Sequence, residues 1–121
     1  MKCNLEKLDD EAWRVFSIFI RNRDCPDGYG ACICCGKPIR FNDCDAAHFI
    51  PRQHMSLKFD ERNVNACCRE CNRMKYGNLP GYTIGLVEKY GDGIIEELKA
   101  LKNTQAYLRA SDYKEIIEKY K

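Results

Sequence analysis

Two short segments, Cys32-Ile33-Cys34-Cys35-Gly36 and Cys68-Arg69-Glu70-Cys71, decide the architecture of this chain. In each segment two cysteines lie three positions apart, so both thiolates of one tight turn can reach the same metal ion. Two such turns supply four sulfur ligands, the tetrahedral set that Zn²⁺ prefers in structural sites. We therefore predict a structural zinc that joins the two ends of the insert at residues 36–67. Its ligands would be Cys32, Cys35, Cys68 and Cys71.

The cysteine content favours metal binding over disulfides. The chain has nine cysteines among 121 residues, and no apolar run of a secretion signal follows its first residues. An odd number of thiols without a secretion signal fits a reducing cytosol, so we expect a cytoplasmic protein. Spacing alone leaves open a ligand set that uses Cys34 or Cys67, since each is next to a proposed ligand. Outside the ligand set we expect the cysteines to be small buried residues or surface thiols: Cys3, Cys25, Cys34, Cys44 and Cys67.

Charge and hydropathy point away from a membrane and towards a polyanion. The longest apolar stretch, residues 15–20, is too short to span a bilayer. The formal net charge is only +2, but residues 37–75 contain eight basic and five acidic side chains. Both histidines of the chain lie in the same segment. A basic segment that also carries histidines favours nucleic-acid binding, although a solvated surface would have a similar composition.

Sequences with helical periodicity lie on both sides of residues 37–75. Residues 5–23 are predicted to form an amphipathic helix, and strands are expected within residues 29–44 and at residues 45–50. An irregular loop is expected at residues 51–59 and a short helix at residues 71–76. Further helices are predicted at residues 83–90, 94–103 and 112–120, the last with Ser111 as its N-cap.

The order of histidine and asparagines around the thiol pairs resembles the HNH (ββα-metal) nuclease motif. His48 lies on a predicted strand, Asn63 precedes Cys68 by five positions, and Asn72 directly follows Cys71. Nearly the whole chain is similar to the phage lambda NinG (Rap) recombination-nuclease family. That resemblance rests on Cys-x-x-Cys-Gly, Asp45-Ala-Ala-His-Phe49, Leu57-Lys-Phe-Asp-Glu-Arg-Asn63, Cys-x-x-Cys-Asn, Gly77-Asn78, Tyr82 and Tyr90-Gly91, together with Ile20-Arg-Asn-Arg-Asp24.

The resemblance implies a separate role for each of these residues, and the roles agree with the chemistry of phosphodiester hydrolysis. His48 would be the general base, because a histidine whose pKa lies near neutrality can take a proton from water. Asn72 would be a ligand of a catalytic Mg²⁺ or Mn²⁺, which prefers oxygen ligands. Asn63 would hold the loop and orient His48. The zinc would be structural only, since four thiolates leave it no open position.

The second ligand of the catalytic metal is left open by the sequence. Many HNH nucleases have an acidic residue or a histidine directly before the base, but Ala47 occupies that position here. Asp45 is the nearest carboxylate and our candidate ligand, and His54 is the alternative. Arg52, Arg69, Arg73 and Lys75 are candidates for phosphate contacts, because guanidinium and ammonium groups bind phosphate.

The resemblance implies an α+β fold with a zinc-stapled HNH (ββα-metal) core, an N-terminal helix and C-terminal helices. We predict a single domain over residues 1–121, with the helix at 1–24, the core at 25–79 and the helical extension at 80–121. The implied function is a phage or prophage recombination endonuclease of the bacterial host cytoplasm. It would act on branched DNA such as Holliday junctions and D-loops, with a homodimer and phage recombination proteins as candidate partners.

Two other functions remain compatible with the sequence. A non-catalytic zinc module that binds nucleic acid or a replication protein would share the zinc and the basic segment. A thiol-based redox or metal sensor would use the surplus cysteines. Neither function explains the placement of His48 relative to Asn72, so we rank the nuclease first.

Overall fold

The computed structural model describes residues 2–121, in which helices and two small sheets alternate. The helices are α1 (Asn4–Asp24), α2 (Met55–Lys58), α3 (Leu79–Tyr90), α4 (Ile94–Lys102) and α5 (Ala110–Tyr120). The strands are β1 (Tyr29–Ala31), β2 (Pro38–Arg40), β3 (Cys44–His48) and β4 (Val64–Cys68). A 3₁₀ turn, Phe41–Asp43, precedes β3, and a π-helix, Glu70–Met74, follows β4. This mixture confirms the predicted α+β class.

Several element boundaries differ from the sequence predictions for local reasons. The expected irregular loop at residues 51–59 contains the short helix α2. Helix α3 begins at Leu79 instead of residue 83, because the side chain of Asn78 accepts a hydrogen bond from the Gly81 backbone N–H at 3.4 Å. Ser111 is not the N-cap of α5. That helix begins at Ala110, and the Asp112 carboxylate accepts the N–H of the capping residue Arg109 at 2.8 Å.

The two sheets are separate antiparallel pairs. Strand β1 pairs with β2 through Gly30 and Ile39, and β3 pairs with β4 through Ala46 and Ala66. Within residues 2–121 each sheet has only two strands, so one edge of β3 is not paired. The first thiol turn connects β1 to β2, and its Ile33 N–H donates to the Ala66 carbonyl of β4 at 3.1 Å. This bond brings the first thiol turn beside the strand that leads into the second.

Helix α3 packs tightly on the first thiol turn. A Cβ atom at Gly85 would lie 1.9 Å from the Ile33 carbonyl oxygen, and one at Gly81 would lie 2.4 Å from the Cys34 carbonyl oxygen. Both contacts are with backbone atoms, so a side chain at either position would push the helix away from the turn. The two glycines, four residues apart on one helical face, therefore fix how closely α3 approaches the cysteines.

The long helix α1 lies across β3 and β4 and packs along α5. Phe16 and Ile20 of α1 are fully buried against Val64 of β4, with Phe59 and Tyr120 packed around them. A second apolar cluster lies around the cysteines and includes Leu57, Leu86, Leu98 and Tyr82. Both clusters include residues of the β3–β4 pair, so the strand that carries Asp45 and His48 is packed into the core.

A polar network joins the end of α1 to β4 and α3. The Asp24 carboxylate accepts the Ala66 N–H at 2.8 Å and pairs with Arg23 and with Lys89 of α3. Arg23 also donates to the Glu61 carbonyl at 2.7 Å. These charges are partly buried and paired, which is how a folded chain tolerates them.

No helix within residues 2–121 has the length and apolar composition needed to cross a membrane. The division of the chain into one domain with an N-terminal helix, a core and a helical extension stays a prediction.

Candidate functional site

The four predicted zinc ligands come together at one point. The sulfur atoms of Cys32, Cys35, Cys68 and Cys71 all lie within 4.8 Å of one another, and those of Cys35 and Cys68 are 3.8 Å apart. In a tetrahedral site with Zn–S bonds of about 2.3 Å, neighbouring sulfurs are about 3.8 Å apart. The donor set and its spacing therefore fit a zinc ion.

Three of the four sulfur atoms accept hydrogen bonds from nitrogen. The Cys34 N–H donates to the Cys32 sulfur at 3.3 Å, and the Cys71 N–H donates to the Cys68 sulfur at 3.4 Å. The Asn78 side chain donates to the Cys71 sulfur at 3.4 Å. Donors directed at sulfur stabilise thiolates, the form that binds metal.

The alternative ligands Cys34 and Cys67 belong to a smaller group of sulfurs. Together with Cys32 they form a second group of close sulfurs, and their own sulfurs are 3.7 Å apart. Their thiols donate to carbonyls, from Cys34 to that of Gly77 at 3.5 Å and from Cys67 to that of Cys68 at 3.4 Å, and the Cys32 thiol donates to the Cys67 sulfur at 3.8 Å. The group with Cys34 and Cys67 has only three sulfurs, whereas the four-cysteine set completes a tetrahedral shell and therefore fits zinc better. Of the other cysteines, Cys25 and Cys44 are buried and Cys3 is exposed.

A cleft of about 740 Å³ runs along the unpaired edge of β3 between α1 and the π-helix. It collects six of the residues predicted to bind metal or phosphate or to act as the base: Asp45, His48, Arg52, Arg69, Asn72 and Arg73. Side chains three positions apart on a strand point to opposite faces, as Asp45 and His48 do. Both reach the cleft because no further strand covers that edge of β3 in residues 2–121.

Two contacts fix the ring of His48. It stacks on Trp13 of α1 with the ring centroids 4.7 Å apart, and its Nε2 lies 3.1 Å from the Lys58 carbonyl oxygen. A carbonyl can only accept, so Nε2 carries the proton and Nδ1 keeps its lone pair. Burial lowers the pKa of His48 to about 4 from its usual 6.5, and the positive charges of Lys58 and Arg52 act in the same direction. The expectation of a pKa near neutrality was therefore wrong, because that expectation ignored burial.

Asn63 determines the shape of the loop that approaches His48. Its side chain is fully buried, accepts the Ile50 N–H at 2.8 Å and donates to the Ile50 carbonyl at 2.9 Å. It also donates to the Leu57 carbonyl at 3.1 Å. Leu57 immediately precedes Lys58, whose carbonyl accepts from His48. Asn63 therefore contacts the backbone next to the histidine partner, whereas its role in orienting His48 stays a prediction.

Asp45, Asn72 and Arg73 form one cluster on the other face of β3. The side-chain amide nitrogen of Asn72 donates to Oδ2 of Asp45 at 3.0 Å, and within residues 2–121 its side-chain oxygen makes no hydrogen bond. Arg73 donates two hydrogen bonds to the same carboxylate. Burial alone would raise the pKa of Asp45, but the bonds from Arg73 and Asn72 outweigh it and hold the pKa below its ordinary value. The carboxylate is therefore ionised at neutral pH, as a metal ligand must be.

The remaining candidates lie in different places. His54 lines a separate cavity with Lys102 and Tyr107, so the cleft brings Asp45, and not His54, to Asn72. Arg52 is exposed at the cleft, and Arg69 donates to the Asn42 carbonyl at 3.0 Å. Lys75 is not among the residues that line the cleft, and its Nζ lies 3.9 Å from Oε1 of Glu70.

Sequence reasoning missed four cleft residues. Trp13, Ser17 and Arg21 line the cleft from α1, and Tyr76 lines it from the turn after the π-helix. The spacing of four between the three α1 residues places them on one helical face, and that signal was available in the sequence. Arg21 is held by its bond to the Phe41 carbonyl at 3.1 Å and by the Phe41 ring, 4.5 Å away.

The fold and site thus define a small α+β protein with a four-thiol site that can hold zinc and an arginine-lined cleft beside it. The family model "Bacteriophage Lambda NinG protein" matches residues 2–121, and the chain belongs to the NinG family. Protein ninG of Salmonella phage P22 is 34% identical over 93 residues, which is 74% of this chain and 43% of that protein.

Two further relatives are informative. Protein ninG of Escherichia phage lambda is 32% identical over 96 residues, 77% of this chain and 44% of that protein. The chain thus spans less than half the length of the ninG relatives that it matches. CRISPR-associated endonuclease Cas9 of Corynebacterium diphtheriae is 31% identical over 70 residues, 58% of this chain and 6% of that protein. Among solved structures, none matches the chain significantly.

Proposed function

We propose that this protein is a metal-dependent DNA endonuclease of the HNH type, in which β3, β4 and the π-helix form the ββα-metal core. The observation that carries the proposal is the shared cleft. A neutral histidine with a fixed tautomer lies in the same arginine-lined cleft as an ionised Asp45 paired to Asn72. The similarity of a 70-residue stretch of the chain to a protein named as an endonuclease supports the same interpretation.

His48 acts as the general base in this proposal. Its neutral ring takes a proton from the attacking water at Nδ1, while Nε2 keeps its bond to the Lys58 carbonyl. The water oxygen forms a bond to phosphorus and the bond from phosphorus to the 3′ oxygen breaks. The stack on Trp13 keeps the ring plane fixed during this transfer.

Asp45 and Asn72 supply the oxygen ligands for a catalytic cation. The donor set, one carboxylate and one free amide oxygen, suits Mg²⁺ or Mn²⁺. A bound divalent cation would supply positive charge at the scissile phosphate and at the leaving oxygen. Asp45 takes the ligand role in preference to His54, because His54 lines another cavity.

Arg52, Arg69 and Arg73 bind the phosphates that flank the cleavage point. Guanidinium groups around a cleft give affinity for DNA that depends on salt concentration, without sequence specificity. Lys75 is the weakest member of the predicted set, because it lies outside the cleft. The preferred substrate is branched DNA, such as recombination junctions and displacement loops, as the family resemblance implies.

The test compares the two histidines of the chain. Purified protein is incubated with Mg²⁺ or Mn²⁺ and labelled linear duplex, single-stranded, forked and four-way junction DNA. We expect cleavage that requires the metal and falls about 100-fold or more in His48→Ala, with DNA binding retained. His54→Ala is the matched control and should cut like the unchanged protein.

Two results would contradict the proposal. A His48→Ala variant that cuts at the wild-type rate removes the proposed base. Binding of the wild-type protein without cleavage in either metal supports instead the non-catalytic zinc module that binds nucleic acid or a replication protein.

A further inference from the structure

In the turn after the π-helix, the exposed residue Tyr76 has a left-handed backbone conformation. Tyr76, Gly77 and Asn78 all have positive φ angles, +52°, +88° and +46°. Gly77 adopts this region freely, and Asn78 is compensated by its bonds to Gly81 and Cys71. Tyr76 is 94% exposed, so no burial of its ring offsets the strained backbone. Strain of this kind without local compensation is typical of positions kept for function.

The position of Tyr76 is fixed by the thiol site. The Gly77 N–H donates to the Cys71 carbonyl at 3.0 Å, and the Asn78 N–H donates to the Lys75 carbonyl at 2.9 Å. Cys71 is one of the four cysteines that fit zinc. The backbone on both sides of Tyr76 is therefore held, which fixes the point on the cleft from which its exposed ring projects.

The residues that line the cleft with Tyr76 are mainly positively charged where they carry a charge. Arg21, Arg52, Arg69 and Arg73 line the same cleft, and the only carboxylate among its lining residues, within 2–121, is that of Asp45. A nucleotide combines an anionic phosphate with a flat aromatic base. Guanidinium groups would contact the first and an exposed aromatic ring the second.

We propose that Tyr76 is a stacking platform for an unpaired DNA base and gives the cleft its preference for branched or single-stranded DNA over continuous duplex. The inference rests on the proposed function, because it takes DNA to be the occupant of the cleft. Bases inside a duplex are covered by their neighbours, whereas a base at a fork or junction has a free face. Stacking on that face favours any base, so the preference is for DNA structure and not for sequence.

The experiment measures binding without cleavage. Fluorescence anisotropy in EDTA gives Kd values for a forked DNA and for a duplex of equal length. The variants are Tyr76→Ala, Tyr76→Phe and Tyr76→Gly, and Tyr107→Ala is the control, since Tyr107 is also exposed but lines another cavity. We expect Tyr76→Ala to weaken fork binding about tenfold and to change duplex binding less than about twofold.

The other variants separate the ring from the backbone. Tyr76→Phe should keep the fork preference, because it keeps the aromatic face. Tyr76→Gly should lose that preference while its thermal midpoint stays equal or rises, because glycine removes the strain at a positive φ angle. Retention of fork binding in this variant would overturn the proposal.

The remaining outcomes distinguish this inference from the proposed function. Equal losses on fork and duplex would overturn the role for unpaired bases. Unchanged DNA binding in Tyr76→Ala would overturn it as well and would point to a protein contact made with the exposed neighbour Met74. If the wild-type protein binds no DNA, the proposed function and this inference fail together.

Discussion

Arg73 holds Asp45 through two parallel hydrogen bonds, from Nε to Oδ2 at 2.9 Å and from the terminal nitrogen to Oδ1 at 2.8 Å. With the Asn72 bond added, both oxygens of the carboxylate are engaged. A cation that binds Asp45 would therefore compete with Arg73 for the carboxylate. The displaced guanidinium would be left beside the metal site, where a DNA phosphate could replace the carboxylate as its partner.

This competition predicts opposite effects of one substitution. Arg73→Gln should lower the Mg²⁺ concentration for half-maximal cleavage severalfold, since the exposed arginine no longer occupies the carboxylate. The same change should weaken DNA binding and flatten its salt dependence. Metal titrations and salt-dependent anisotropy measure the two effects. Lys75→Gln, two residues away and outside the cleft, should change neither by more than about twofold. A higher metal requirement in Arg73→Gln would contradict the competition.

The buried side chain of Asn63 predicts a large loss of stability. Asn63→Ala would leave the Ile50 N–H and the Ile50 and Leu57 carbonyls without their partner. We expect the free energy of unfolding to fall by about 3 kcal/mol, measured by urea denaturation. Asn42→Ala, at an exposed position, should change it by less than about 0.5 kcal/mol. Equal stability of the two variants would mean that Asn63 does not hold the loop.

The thiol site allows a matched pair of substitutions at adjacent residues. Cys35→Ser should lose bound zinc and cooperative folding together, because the metal contributes folding free energy. Cys34→Ser should keep both, because the Cys34 thiol lies outside the four-sulfur group and donates to the Gly77 carbonyl. Elemental analysis after dialysis and thermal unfolding give the two readouts. A well-folded Cys35→Ser protein that retains one tightly bound zinc would exclude this ligand set.

The low pKa of His48 predicts how cleavage and stability respond to acid. For a histidine with an unperturbed pKa, the neutral fraction is about tenfold smaller at pH 5.5 than at pH 7.5. A histidine with a pKa of about 4 stays almost fully neutral at both pH values. We expect cleavage rates at pH 5.5 and 7.5 that differ less than about threefold. A tenfold loss of activity at pH 5.5 would show that the histidine titrates near 6.5.

Stability should respond in the same pH window. Between pH 6.5 and 4 the unfolded chain binds a proton at His48 that the folded chain does not bind. The contribution of His48 is therefore complete above pH 6.5 and declines by roughly 3 kcal/mol as pH falls to 4. This decline is the difference between unfolding curves of the wild-type protein and His48→Ala, which lacks the titrating group. Parallel pH profiles of the two proteins would refute the buried, neutral histidine.

Local patterns in the sequence were sufficient for the cysteine site and the main elements. The spacing of Cys32 and Cys35 depends on one tight turn, and the periodicity of residues 5–23 depends on one helix, so neither needs knowledge of distant residues. The short helix α2 and the early start of α3 were missed, because both depend on caps and turns with weak composition signals.

The parts of the site that the sequence did not predict depend on contacts between distant segments. Trp13 meets His48 only after α1 is laid across β3, and Lys58 contributes a backbone carbonyl, which has no sequence signature. The pKa of His48 depends on the burial that these contacts create. Similarly, Arg73 and Asp45 are 28 positions apart, and their pairing depends on how the π-helix follows β4.

The histidine and its loop are held mainly through main-chain carbonyls, and this has a consequence for how the protein can change during evolution. His48 binds the carbonyl of Lys58, Asn63 binds those of Ile50 and Leu57, and the Tyr82 hydroxyl donates to that of Ala47. A carbonyl is present whatever side chain its residue carries. Side-chain substitutions at positions 47, 50, 57 and 58 therefore leave these acceptors in place, although at position 58 they would remove the ion pair of Lys58 with Asp9. Side chains at these four positions can change without removing the acceptors that hold the histidine and its loop.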